Sequence, residues 1–193
     1  MQEIEQHPLT PFLPPNARIL MLGSFPPPKS RWSIDFFYPN FQNDMWRIMG
    51  LAFYSDKNHF VIADERKFDC QKIIEFCTCQ GIAIFDTASA VRRLNGNASD
   101  KFLEVVSQTD VSALLEKIPK CKAIATTGEK ATCTLAEKYG CEMPKVGQSV
   151  NLGIDGKSYD FFRMPSSSRA YPLALEKKAS AYKKMLDTVL QRT

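Results

Sequence analysis

The feature that most restricts how this chain can fold is a short apolar run that recurs four times, each copy closed by a glycine or by polar, turn-forming residues. Residues 17–22 (ARILML) run into Gly23, and residues 81–85 (GIAIF), 121–125 (CKAIA) and 159–164 (YDFFRM) repeat the pattern, rich in Ile or Phe. Runs of this length with no polar alternation are buried strands. Helical stretches lie between and after them, at 44–52, 65–79, 111–117, 129–138 and 173–190. In the last, Leu175, Ala179, Tyr182, Leu186 and Val189 share one face at i, i+3 and i+4 spacing, so that face docks on the sheet. Lys177, Lys178, Lys183 and Lys184 then make a solvated face. Strand and helix in alternation predict an α/β fold, a three-layer α/β/α sandwich around a central, mainly parallel, four-stranded sheet with right-handed crossovers.

Length and composition bound the rest. A chain of 193 residues, 44% hydrophobic, is long enough for one buried core and short for two, so residues 1–193 are expected to form one domain, with 1–16 an N-terminal arm packed on it. Nothing approaches the roughly 18 consecutive apolar residues of a membrane span. The opening MQEIEQHPLTPFLPP carries acids and prolines where a signal peptide has basic then apolar residues, so a cytoplasmic, membrane-free protein is expected. Cys70, Cys77, Cys79, Cys121, Cys133 and Cys141 are read as reduced thiols partly in the core, because Cys77 and Cys79 flank a single residue, unlike a CxxC metal or redox pair. No metal and no cofactor is expected. A net charge of +4 is compatible with DNA binding without demonstrating it.

In open parallel sheets, ligands bind beyond the C-terminal ends of the strands. That rule gathers residues 23–28, 86–89, 126–129 and 165–169 at one site. The first of these is GSFPPPKS, followed by FFYPNFQNDMWRIM at 36–49, and the last belongs to MPSSSRA at 164–170. In this order, at opposite ends of one α/β domain, the set resembles the two active-site motifs of the uracil-DNA glycosylase superfamily, most closely its hypoxanthine-DNA glycosylase branch. GIAIFDTASAV at 81–91 resembles the superfamily strand whose last residue reads the target base, with Asp86 where classical uracil enzymes have Asn. Some branches hold an iron–sulfur cluster on four cysteines, and the cysteine spacing here does not match one.

The resemblance implies a uracil-DNA glycosylase-like fold and a monofunctional, monomeric DNA repair enzyme. It would hydrolyse the N-glycosidic bond of a deaminated base, uracil or hypoxanthine, flipped out of DNA, and leave an abasic site. Such chemistry needs a snug pocket, a positioned water, and stabilisation of an oxocarbenium-like sugar and a departing base anion. Backbone amides of Gly23, Ser24 and Phe25 would donate to a base carbonyl, and Tyr38 would stack on the base, with Phe36 and Phe37 as competing stackers. Asp86 would accept from the ring N–H shared by uracil and hypoxanthine, or donate if burial protonates it.

In many relatives the third residue of the first motif positions the water; here it is Phe25, which cannot, and the role falls to Asn43. Asp44 and Asp35 stand behind it as backup acids, more simply read as surface or capping carboxylates. Pro165, Ser166, Ser167, Ser168 and Arg169 would run along the DNA backbone, the serines donating to phosphates and the arginine adding charge or filling the vacated stack. Relatives often carry an inserting Leu there, and this chain has none.

Plainer readings stand beside these: Gly23 as a turn glycine, Asn43 as a helix N-cap, Asp86 as the cap of a following helix. His7 and His59 lie outside the motifs and are read as surface residues. No lysine stands at a catalytic position, which predicts no Schiff base. The competing class is a non-catalytic nucleic-acid or nucleotide-binding module on the same fold, which Phe25 favours and Asn43 opposes.

Overall fold

Strand β2 (Ile19–Gly23) anchors the architecture. In the computed structural model, which describes residues 3–94 and 102–191, all five of its residues are buried. It pairs in parallel with β5 (Ile82–Asp86) on one side and β8 (Ala123–Thr127) on the other. Both neighbours are buried throughout as well, which is why these stretches read as unbroken apolar runs. Beyond β8 lie β10 (Lys157–Met164), parallel to it, and β9 (Ser149–Ile154), antiparallel to β10. The sheet order is β5-β2-β8-β10-β9.

The central sheet therefore has five strands rather than the expected four. The added strand is an edge, polar and mostly exposed in its outer half, so it carries no apolar run. Its one sequence signal is Asp155-Gly156, both at positive φ (49° and 73°), the two-residue turn that closes a hairpin with native twist.

Among the described residues five α-helices flank the sheet: α1 (Met45–Tyr54), α2 (Cys70–Gln80), α3 (Val111–Lys117), α4 (Glu129–Tyr139) and α5 (Leu175–Leu190). The step from β2 to β5 runs one way along the sheet, and the steps from β5 to β8 and β8 to β10 run the other. Right-handed crossovers then put α1 and α2 on one face and α3 and α4 on the opposite face. Helix α5 packs on α1 and completes the first layer. The sandwich is thus α/β/α. Helix α2 is capped by Asp69, whose Oδ1 accepts from the Lys72 amide at 3.1 Å, and ends at Gly81 in the left-handed region. The expected start of that helix at residue 65 is corrected: residues 61–68 form a small hairpin, β3 (Val61–Ile62) with β4 (Lys67–Phe68). Arg66 makes its turn at φ 48°.

A second sheet stands beside the first. Strand β1 (Ile4–Gln6) pairs antiparallel with β6 (Ala88–Arg93), which pairs antiparallel with β7 (Leu103–Gln108). Residue Thr87 alone separates β5 from β6, so the chain leaves the central sheet at Asp86 and enters another strand, where a helix had been the alternative for Asp86 to cap. The N-terminal arm continues from β1 along the outer edge of β5, where Phe12 and Ile84 exchange both backbone hydrogen bonds (3.0 and 2.9 Å). Segment 92–100, in which no element was expected, holds the end of β6; residues 95–100 lie outside the described part.

On α5 the apolar face is as expected, with Met185 added, but Lys178 sits on it and not on the solvated side: it is 1% exposed. Among the described residues no helix is long and apolar enough to cross a membrane.

All six cysteines are free thiols. Burial raises the Cys77 thiol well above its ordinary range and pushes Cys121 up to about 12, so both stay protonated and shielded near neutral pH. Exposed Cys79 on α2 should react with a thiol reagent in the native protein while Cys77 and Cys121 wait for unfolding. Mass spectrometry of the labelled peptides checks this, and native labelling of Cys77 would contradict the packing of α2 on β5.

Candidate functional site

The four parallel strands all point their C-terminal ends to one edge of the sheet, and their last residues are in mutual reach there. A β-carbon at Gly23, the end of β2, would overlap Asp86 Oδ1 and lie 3.6 Å from the Tyr38 hydroxyl. Gly23 is therefore more than a turn residue: its missing side chain is the space that the Asp86 carboxylate occupies. The Tyr38 hydroxyl shares a 2.9 Å hydrogen bond with Thr127 Oγ1 at the end of β8. The next residue, Gly128, lies against Ser166, just past β10. All four segments expected at the crevice thus meet.

Tyr38 is held at φ 50°, a left-handed conformation that costs on the order of 1 kcal/mol for a residue with a side chain. Its ring sits edge-on to Trp46 at 6.1 Å, and the Trp46 indole donates to the Phe37 carbonyl at 3.1 Å. Of the three aromatic candidates, Phe36 and Phe37 are buried in the core, and Tyr38 alone is half-exposed. Phe25 is buried too, in a small cluster with Ala88, Val91 and Leu103 that joins the two sheets. Neither the Ser24 nor the Phe25 amide is donated to a backbone acceptor among the described residues. Ser24 itself is half-buried.

Asp86 is not alone. His7 Nε2 lies 2.8 Å from Asp86 Oδ2, and the two side chains are 4% and 9% exposed. The imidazole is enclosed by the rings of Phe85, Phe25 and Phe37 at centroid distances of 4.4, 5.2 and 6.2 Å. The reading of His7 as a surface residue is corrected. Its backbone N–H donates to Ser89 O at 2.9 Å, extending the pairing of β1 with β6, and that placement drives the side chain over the end of β5. No local pattern marks it: HPLTPF looks like surface loop, and only the pairing of two segments some 80 residues apart brings His7 to Asp86. His59 lies elsewhere, stacked on Tyr54 at 3.6 Å.

On the other side of the crevice Asn43 and the second motif are joined through Asp44. The N-cap of α1 is Asp44, so the reading of Asn43 as that cap is corrected by one residue: the Asn43 side-chain oxygen accepts from the Met45 amide at 2.9 Å and braces the turn that leads into the helix. No described acceptor takes its NH2 group. The Asp44 backbone N–H donates to Ser167 O at 2.9 Å. The Asp44 carboxylate, 9% exposed, accepts from Arg169 Nε and NH2 at 3.1 and 3.0 Å, and Lys178 Nζ lies 3.5 Å from its other oxygen. Lys178 also donates to Ser168 O at 2.8 Å.

Asp44 is thus a buried tether between the first motif and the second, not a surface carboxylate. Asp35, by contrast, is exposed beside Lys29. Arg47 stacks over Phe41 at 4.5 Å, and burial with the nearby Arg169 cation holds its pKa below the ordinary value.

Within the second motif the side chains diverge. Pro165 and Ser167 are buried, and the Pro165 carbonyl accepts from the Tyr182 hydroxyl at 2.9 Å. Ser166 is half-buried, while Ser168 and Arg169 are exposed. The exposed side chains of this loop are therefore Ser168 and Arg169, while Ser166 lies against Gly128 and accepts from the Ser168 amide at 3.2 Å. Ser167 contributes its carbonyl to the scaffold. Among the described residues, no three His, Cys, Asp or Glu side chains gather as metal ligands.

No family model matches the chain, and no curated protein does. Among solved structures it is similar to the solution NMR structure of a provisionally assigned uracil DNA glycosylase from Methanosarcina acetivorans. The identity is 24%, the match covers 96% of this chain and 99% of that chain, and the TM-score is 0.64. The chain has the uracil-DNA glycosylase-like fold.

Removing one partner of a buried ion pair strands the other, at a cost of roughly 3–5 kcal/mol. Asp44→Ala should therefore lower the unfolding free energy by about 3 kcal/mol, near the low end because Arg169 is half-exposed. Denaturant unfolding measures it; a loss below about 1 kcal/mol, the scale of a solvated pair, would show that Asp44 is no tether.

Proposed function

We propose that this chain is a monofunctional DNA glycosylase that removes a deaminated base, uracil or hypoxanthine, from DNA. The observation that carries the reading is the convergence at one strand edge: Asp86 Oδ1 in the gap left by Gly23, the Tyr38 hydroxyl beside it, and Asn43 tied through Asp44 to the 165–169 loop. The shared fold is compatible with it, but a fold alone assigns no activity.

On this reading, a base swung out of the duplex enters between Tyr38 and the Gly23–Phe25 turn. The ring of Tyr38 stacks on it, a contact of about 1–3 kcal/mol. Asp86 accepts the ring N–H, and the Ser24 and Phe25 amides donate to a carbonyl whose charge grows as the bond to the sugar breaks. Asn43 orients the attacking water with its amide while its oxygen also holds the helix start. It carries no charge, so it positions water better than it deprotonates it. The exposed side chains Ser168 and Arg169, with the half-buried Ser166 beside them, meet phosphates on either side of the lesion.

No described lysine stands free at the crevice to form an adduct; Lys178, which lies beside Asp44, is engaged by Ser168 and by that carboxylate. Borohydride should trap no covalent complex.

A second reading is favoured by one observation: Phe25, where many members of the glycosylase superfamily hold a water-positioning group, is buried against the second sheet. That would fit a module that binds such DNA without cutting the base free.

Strands carrying a single uracil or hypoxanthine, heated in alkali after incubation to reveal abasic sites, separate the two. Release by the wild type that falls about 100-fold in Asn43→Ala is expected, the scale of losing one catalytic group. Salt-dependent binding with the base left in place would instead establish the non-catalytic module.

A further inference from the structure

His7 belongs to neither motif, yet it makes the one side-chain contact to the Asp86 carboxylate found among the described residues. The hydrogen-bond partners around its ring determine which way the proton points. Leu9 places two groups beside Nδ1: its amide N–H at 3.2 Å and its carbonyl oxygen at 3.0 Å. A neutral ring that accepts from the Leu9 N–H must carry its proton on Nε2 and donate to Asp86. An imidazolium donates from both nitrogens, to Leu9 O and to Asp86, and leaves the Leu9 N–H without its acceptor. The remaining arrangement, a protonated Asp86 donating to Nε2, puts a proton on Nδ1 and leaves the Leu9 N–H without its acceptor. The arrangement that satisfies every partner, a neutral ring with its proton on Nε2, makes Asp86 Oδ2 the acceptor of that bond within an aromatic enclosure.

With Oδ2 taken, Oδ1 is the oxygen turned toward Gly23 and the Tyr38 hydroxyl. We propose that His7 is a positioning residue, holding Asp86 as an ionised acceptor with Oδ1 aimed at the bound base, so that the site takes bases that present a ring N–H at that point. This rests on the reading of Asp86 as the residue that meets the base. The N-terminal arm thereby gains a role, since β1 and the Phe12–Ile84 bridge hold His7 over the strand end, and a segment remote from both motifs completes the site.

The test uses the full chain with His7→Phe, which keeps the ring contacts and loses the donor, and His7→Gln, which keeps an N–H donor. Single-turnover base release is measured on single strands carrying hypoxanthine or uracil, next to each variant's thermal midpoint. His7→Phe is expected to unfold at a lower temperature than the wild type, because it strands a buried carboxylate, and, assayed well below that midpoint, to release base about tenfold to a hundredfold more slowly, the effect of removing an outer partner from a functional ligand. His7→Gln should recover most of that loss. Combined with Asp86→Asn, His7→Phe should add nothing further, because the two act as one unit.

Wild-type release by His7→Phe, or losses that multiply in the double variant, would overturn the proposal while leaving the glycosylase reading intact. If the wild type releases no base, the same variants are compared for binding a strand whose 2′-fluoro sugar resists hydrolysis. A loss in His7→Phe that His7→Gln restores then supports the positioning role in a binding module, and equal affinity refutes it.

Discussion

A carboxylate withdrawn from water must find donors or give up its charge, and this fold places two of them at the rim of one crevice. Asp86 ends β5 where a neighbouring side chain would collide with it, so β2 ends in glycine and His7 closes over the other oxygen. Asp44 opens α1 beneath the second motif and collects Arg169, Lys178 and, through its own amide, Ser167. Each acid draws a distant segment to the crevice: the first brings the arm, the second brings the 165–169 loop and the start of α5. The sheet supplies the edge, and these two charges determine what is assembled on it.

The parts of the fold that were legible in sequence are those whose stability is local or fully buried. Strands β2, β5, β8 and β10 are apolar because both faces are covered, and helix α5 shows its period because one face is buried along sixteen residues. What was not legible depends on partners far along the chain. Strands β6 and β7 are half-polar ladders of Ala, Ser, Val and charged residues, and β9 is an edge. Lys178 reads as one more lysine on a basic helix until Asp44 and Ser168 are brought to it. A polar residue at an apolar helix position, flanked by Leu175, Ala179 and Tyr182 at helical spacing, was the available hint.

The site divides in the same way. Gly23 and Asp86 stand at strand ends and Asn43 just ahead of the first helix cap, positions that sequence order locates, and Tyr38 reaches them from the loop before α1. The exposure of individual side chains within a motif was not legible. MPSSSRA gives no sign that its middle serine is buried, the one before it half-buried and the one after it exposed. Nor does a tyrosine announce a left-handed backbone, and Tyr38 adopts one where the chain turns from Phe37 toward Pro39. Such strain is held by surrounding contacts, here the Thr127 hydroxyl and the Trp46 ring, and it fixes the ring in one attitude.

The joining of β1 to β6 bears on the order in which the molecule comes together. His7 leaves the ribosome 79 residues ahead of Asp86. At roughly 5–20 residues per second the arm waits several seconds before the strand it completes exists. Pairings of such separation carry a loop-closure cost before any contact rewards them, so β2, α1 and α2 can assemble while residues 3–12 are still unattached. The crevice is then finished by a segment made well before the strand it completes, and a chain with an intact core passes through a stage in which Asp86 has solvent in place of His7.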